Sequence, residues 1–200
     1  MTDAPRQARP AGRREAILSA ATELLARHGV GNVSTRQIAR EVGISQPSLY
    51  AHFPSLHALH EAVGARAFAN LETRLSTGPK GSPEAALEHA MRTFITFGLT
   101  QPDAYRIAFI REMPEGARTE RGAFHDLDHP GPRAFAHLEG IVGRLRPDLA
   151  PTERDVRIQC LWAAVHGLVS LLLQRPHFPW ADRDRLVDEH VRLIGLMAQA

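Results

Sequence analysis

Apolar residues recur at three- and four-residue spacing along most of the chain, and no stretch sustains a two-residue alternation, so the pattern predicts helices and no sheet. A first helix carries Ile17, Ala21, Leu24 and Leu25 on one face. A second starts at Ser34, whose hydroxyl can accept from backbone N–H groups while Gln37, three residues on, reaches back in a capping box. Ile38, Ala39 and Val42 then share the inner face, Arg36, Gln37 and Arg40 take the outer one, and Gly43 supplies the backbone freedom that ends the helix. Ile44 is apolar enough to plug the corner. Ser45 is a second N-cap, and Pro47 falls in the first turn of a third helix, where its missing N–H costs nothing. Leu49 and Phe53, four apart, face inward and leave Gln46, Ser48, Tyr50 and His52 on the exposed half and flanks.

Breaks at Thr77 to Ser82, Gln101 to Pro102, Met113 to Pro132, Arg146 to Pro151 and Arg175 to Ala181 divide the remainder. Pro83, Pro102, Pro132 and Pro151 stand where helices should begin, which gives nine helices in all, with a linking helix over about 55–76. The segment from Pro151 to Gln174 contains CLWAAVHGLVSLLL, apolar around nearly its whole circumference, and has to be covered on more than one side. The helix after it, Asp182 to Gln199, places Val187, Val191, Ile194 and Met197 along one stripe. Two such helices from each of two chains would make a four-helix bundle; the alternative is that both complete an intramolecular core.

Composition changes this picture in a few places. A 200-residue chain with 44% apolar residues can bury a real core in one or two domains. Its net charge of +2 hides an asymmetry: residues 1–60 hold seven Arg against four acidic residues, and residues 61–200 hold 17 basic against 18 acidic. The basic end is the end with the capped helix pair. All basic residues but Lys80 are Arg, a bias that suits bidentate phosphate geometry and follows equally from genome composition. The opening MTDAPRQARPAG has no apolar core of a signal peptide, and the longest apolar stretch is too interrupted for a membrane span, so a cytoplasmic protein without membrane association is expected. Residues 1–12 read as a disordered basic arm, with Arg6, Arg9, Arg13 and Arg14 in it or beside it. A lone Cys160 excludes an internal disulfide framework and is expected to be a buried apolar residue.

The chemistry of the second and third helices fits a helix-turn-helix, in which the second member enters the major groove with its N-terminal residues on base edges. Gln46 can pair with adenine, Pro47 offers an apolar surface to a thymine methyl, and Ser48 brings a small hydroxyl; Thr35, Tyr50, His52 and the helix N-termini are candidates for phosphates, and Arg36 and Ser45 complete the candidate DNA-binding set. A capped hairpin inside an all-α core is the bland alternative, and the polar outer face argues against it. No G-x-S-x-G, Gly-rich phosphate loop or H-E-x-x-H occurs, and no nucleophile stands beside a base, so neither an enzyme nor a cofactor is expected. The run HDLDH from His125 to His129 has metal-compatible spacing only as a helix, and its Gly/Pro-rich surroundings predict a loop, so no metal site is expected.

With the preceding helix REAILSAATELLARHGV, the block resembles the N-terminal domain of TetR-family transcriptional regulators over about Arg14 to Val63, through Thr35, Ile38 and Ala39 and then the L-Y-x-H-F block of Leu49, Tyr50, His52 and Phe53. Trp162, His166 and Gly167 form a W-x-x-x-H-G pattern that resembles one subclass of the family's C-terminal domains. One position departs: where the family usually carries a short S-K-E segment with a phosphate-binding lysine, this chain has Ser55, Leu56 and His57. The resemblance implies an all-α protein with a three-helix DNA-binding domain at 13–54 and a larger helical ligand-binding and dimerisation domain at 55–200. It implies a homodimer on a palindromic double-stranded operator, acting as a repressor that a small-molecule effector releases. An activator of the same fold, or a helical protein-interaction adaptor without DNA binding, are the alternatives. The last two helices would form the dimer interface. Phe94, Phe97, Tyr105, Phe109, Met113, Trp162 and His166 are candidates to line a mostly hydrophobic effector pocket.

Overall fold

Side-chain caps set the starts of the helices that carry the basic end. The Ser34 hydroxyl accepts from the Gln37 N–H at 3.3 Å while Gln37 Oε1 accepts from the Ser34 N–H at 2.8 Å, which closes the capping box. Ser45 accepts from the Ser48 N–H at 3.2 Å and Ser55 from the Ala58 N–H at 3.0 Å. Between the first two caps Gly43 takes a left-handed conformation, φ 71° and ψ 36°, its N–H bonding back to the Arg40 carbonyl at 3.1 Å and that of Ile44 to Ala39 at 2.9 Å. That reversal is the turn of the helix pair.

The computed structural model describes residues 10–110 and 130–200, and every regular element among them is helical. The α-helices are α1 (Pro10–His28), α2 (Thr35–Val42), α3 (Gln46–Tyr50), α4 (Leu56–Ser76), α5 (Pro83–Thr100), α6 (Pro102–Tyr105), α7 (Pro130–Leu145), α8 (Pro151–Gln174) and α9 (Arg183–Gln199), with a π turn at Arg106–Ile110 after α6. The nine expected helices are therefore matched by nine among the described residues. Two starts differ from expectation. Helix α1 begins at Pro10, inside the segment expected as a disordered arm, so Arg13 and Arg14 are helical; residues 1–9 lie outside the described residues. Helix α7 begins at Pro130, not Pro132, because a proline is tolerated anywhere in the first turn.

The chain divides into two compact units. Among the described residues, the first holds 10–64 with 103–110 and the second 65–102 with 130–200, whereas the sequence suggested a boundary near 54. The core of the first unit joins Ile17, Leu18, Ala21, Leu24 and Leu25 of α1, Ile38 and Ala39 of α2, Leu49 and Phe53 at α3, Leu59 and Val63 of α4, and Ile107. Ile44 packs against this core from the turn, and so does Leu56. Arg14 lays its guanidinium 4.7 Å from the centre of the Phe53 ring, a cation–π contact that takes it out of any free arm.

In the second unit α5 packs against α7, α8 and α9. Leu87, Met91, Ile95 and Phe97 of α5 meet a core completed by Leu138, Val142, Ile158, Leu161, Val165, Val169, Val191 and Ile194, all buried. Arg92 ties α5 to α9 through Asp188 at 2.7 Å while also pairing with Glu88 at 2.8 Å. Helix α8 corrects one expectation: by length and composition it is apolar enough to cross a membrane. A third of its most apolar window is buried within the chain, with Ile158, Leu161, Val165, Leu168, Val169 and Leu172 facing inward.

The conformation at Gly43 carries its own test. A Cβ at this position would meet no atom within 4 Å, so Gly43→Ala introduces backbone strain alone. The substitution is expected to lower unfolding free energy by about 1 kcal/mol in denaturant titration, with the slope of the transition unchanged.

Candidate functional site

Helix α3 is only five residues long, and its orientation is set by what it buries. Leu49 is fully enclosed and Phe53 nearly so, which turns the opposite side of α3 outward. Pro47 is exposed, Gln46 and Ser48 are half-buried on the first turn, Tyr50 is 43% exposed and His52 is half-buried at the helix end. Arg36 is exposed on the first turn of α2 and Arg40 one turn on. A set of amide, hydroxyl, phenol, imidazole and guanidinium groups is thus displayed on the two short helices. The N–H groups of Thr35 and Arg36 precede the first hydrogen bond of α2, the one from Ile38 to Ser34 at 3.1 Å, and so have no intrahelical acceptor. A helix end of this kind attracts anions.

One sequence-derived assignment changes. Thr35 is a candidate for direct phosphate contact by sequence, but only 6% of it is exposed and its hydroxyl is occupied: Gln46 Nε2 donates to Thr35 Oγ1 at 2.9 Å, and the Tyr50 hydroxyl lies 3.3 Å from the same atom. Ser45 accepts through its oxygen as the N-cap of α3, as expected, and keeps its own hydrogen to donate. Leu56, where the family usually has a lysine, is partly buried against the first unit's core. His57 beside it pairs with Glu61 at 3.2 Å.

The expected effector-pocket residues that are described fall in both compact units. In the second unit His166 lies 5.9 Å from Phe94 and 5.4 Å from Trp162 between ring centres, and Phe135, which sequence reasoning missed, stands edge-on to Trp162 at 6.1 Å. Phe97 is fully enclosed and belongs to the core. Tyr105, fully buried and 5.2 Å from Phe109, belongs with it to the first unit. Met113 and the HDLDH run lie outside the described residues. Burial holds His166 below its ordinary value of 6.5, so it is neutral at physiological pH.

A surface of the second unit also departs from expectation. Val191 and Ile194 of the expected α9 stripe are buried inside their own unit. The uncovered large apolar residues are Leu193, Leu196 and Met197 of α9 and Val156 and Leu171 of α8; all five are more than 40% exposed. Cys160, expected to be buried, is exposed, in a groove of about 650 Å³ that also takes in Val156, Arg157 and Met197. The signal is present in α9 as a second i, i+3, i+4 spacing, one position out of phase with Ile194.

Residues 17–63 match the family described as bacterial regulatory proteins, tetR family, and residues 87–194 match the tetracyclin repressor-like C-terminal domain. Among curated relatives, the chain is 31% identical over 98 residues to the nucleoid occlusion factor SlmA of Pasteurella multocida, covering 48% of this chain and 49% of that one. It is 39% identical over 56 residues to the class D tetracycline repressor of Escherichia coli, covering 28% and 26%. The chain thus spans half or less of the length of these relatives. Solved structures match along nearly the whole chain. A protein of unknown function from Rhodococcus sp. RHA1 superposes with a TM-score of 0.74 at 20% identity, covering 98% of this chain and 97% of that one. A TetR protein of Acinetobacter baumannii in complex with minocycline superposes at 0.63 and 22% identity, covering 91% and 92%. At these identities the likeness is one of fold.

The desolvated His166 generates a pH prediction. Its folded-state proton affinity is depressed, so the unfolded chain takes up a proton first as pH falls below about 6.5, and stability drops over that window until the folded-state value is reached. His166→Asn is expected to flatten this decline in unfolding midpoints compared between pH 7.5 and 5, without altering the midpoint difference contributed by the other histidines.

Proposed function

Because the chain belongs to the tetR family of bacterial regulatory proteins, we propose that it is a homodimeric repressor that binds a two-fold symmetric DNA site and leaves it when a small molecule occupies the second domain. The DNA-reading domain is taken as 13–54 and the ligand-binding and dimerisation domain as 55–200. The observation that carries this reading is the display of Gln46, Pro47, Ser48, Tyr50 and His52 on a short helix whose opposite side is locked into a core by Leu49 and Phe53. In this reading Gln46, Pro47 and Ser48 meet base edges, while Arg36, Tyr50, His52 and the α2 N-terminus meet phosphates. Repression rather than activation is favoured by the name of the class D relative, a tetracycline repressor, and an effector by the minocycline complex of the Acinetobacter protein. The effector is taken to be mostly hydrophobic or weakly polar, meeting Phe94, Trp162 and neutral His166.

Dimerisation is supported by the uncovered apolar face of α8 and α9, since an apolar face of this kind is costly to leave in water. The reading also explains why α8 is apolar on more sides than its own domain covers. A single reader would bind too weakly to select a site, and a two-fold pair engages two half-sites at once.

Selection of bound duplexes from a random pool, repeated over a salt series, tests the reading: it predicts a palindromic consensus and a steep fall of affinity with salt. His52→Ala should weaken all sequences alike, whereas Gln46→Ala should relax preference at particular base pairs by about tenfold. An adaptor without DNA affinity would enrich nothing. Leu196→Asp is expected to yield monomers in analytical ultracentrifugation and to lower operator affinity on the order of 100-fold, with the fold retained by circular dichroism.

A further inference from the structure

Thr35 begins α2, yet its hydroxyl is turned to α3, where Gln46 and Tyr50, four residues apart, reach it from one side of that helix. A threonine hydroxyl has one hydrogen to give and two lone pairs with which to accept. Those few valences make the three side chains interdependent. If Tyr50 gives its hydrogen to a DNA phosphate, which only accepts, its oxygen is left to accept from Thr35. Thr35 has then spent its only hydrogen and can meet Gln46 solely as an acceptor. The Gln46 amide must therefore turn Nε2 towards Thr35, the arrangement seen at 2.9 Å, which leaves Oε1 and the second N–H facing away. In the opposite polarity Tyr50 donates to Thr35 and has no hydrogen for a phosphate. Thr35 is then free to donate to Oε1, and the amide can rotate by half a turn.

We infer that Thr35 is a positioning residue for base recognition and not a phosphate ligand: through it, the phosphate contact of Tyr50 fixes which edge the Gln46 amide presents to the groove. The inference rests on the DNA-reading function proposed above. Burial makes the coupling effective, because with 6% of Thr35 exposed, water has little access to replace either partner. An amide held with Oε1 and one N–H outward matches the donor and acceptor pair on the major-groove edge of adenine; a freely rotating one presents both that pattern and its reverse.

The test compares the full-length wild-type chain with Thr35→Val, Thr35→Ser and Tyr50→Phe on the selected duplex and on duplexes altered only at the base pair whose preference Gln46→Ala abolishes. Thr35→Val keeps the side-chain volume and removes the hydroxyl; it is expected to reduce discrimination at that pair about tenfold, and Thr35→Ser to retain it within about twofold. Tyr50→Phe is expected to weaken every duplex and also to loosen preference at this one pair, which a simple phosphate contact would not do. Combined with Gln46→Ala, neither change should affect the preference further. Uniform loss of affinity for Thr35→Val or Tyr50→Phe with the preference intact would overturn the inference while leaving the DNA-reading function standing. A wild-type chain that enriches no sequence would overturn both.

Discussion

A helix of five residues cannot hold its shape in water by its own hydrogen bonds, so everything α3 displays depends on the burial of Leu49 and Phe53. Each of these side chains contributes on the order of 2 kcal/mol by leaving water, more than the few backbone bonds of the helix can supply. Their sockets are built by α1, α2 and the first two turns of α4, and Arg14 closes over the Phe53 ring from α1. The Ser34 and Ser45 caps and the left-handed Gly43 then determine how α3 leaves α2. The outward chemistry of Gln46, Pro47, Ser48, Tyr50 and His52 is a consequence of this inward anchoring.

The same economy governs the polar side of the pair. Thr35 faces α3 at the one place where α2 and α3 bring three hydrogen-bonding side chains together, so groups that the pattern distributes as independent contacts act as one network. Leu56 shows the complementary choice. An apolar residue at this position strengthens the first unit's core and supplies no charge.

The second unit is organised by helices with two apolar sides. Helix α8 sends Leu161, Val165 and Val169 inward and leaves Val156 and Leu171 in contact with solvent, and α9 separates Val191 and Ile194 from Leu193, Leu196 and Met197 in the same way. A helix that served one core would need one stripe. Two stripes on adjacent helices leave apolar residues that the chain's own core does not consume. His166, half-buried against Phe94 and Trp162, belongs to the interior side of this arrangement and is kept neutral by it.

Helix positions, caps and the Gly43 turn were legible in the sequence because they depend on neighbours within four residues: Ser34 with Gln37, Ser45 with Ser48, Leu49 with Phe53. The motif of the helix pair was legible for the same reason, since its outward residues are consecutive along a short stretch. What only the tertiary structure decided are the pairings between elements. Thr35 and Gln46 are eleven residues apart and meet because Gly43 folds one helix back across the other, which converts an expected surface hydroxyl into a buried acceptor. The two stripes of α9 differ by a single position of phase, and a step of roughly 100° in the helix wheel is too fine for hydrophobicity alone to say which one the chain's own core consumes. Tyr105 shows the same kind of effect: local pattern identifies an aromatic residue as buried, and only the packing of distant segments assigns it to the first unit.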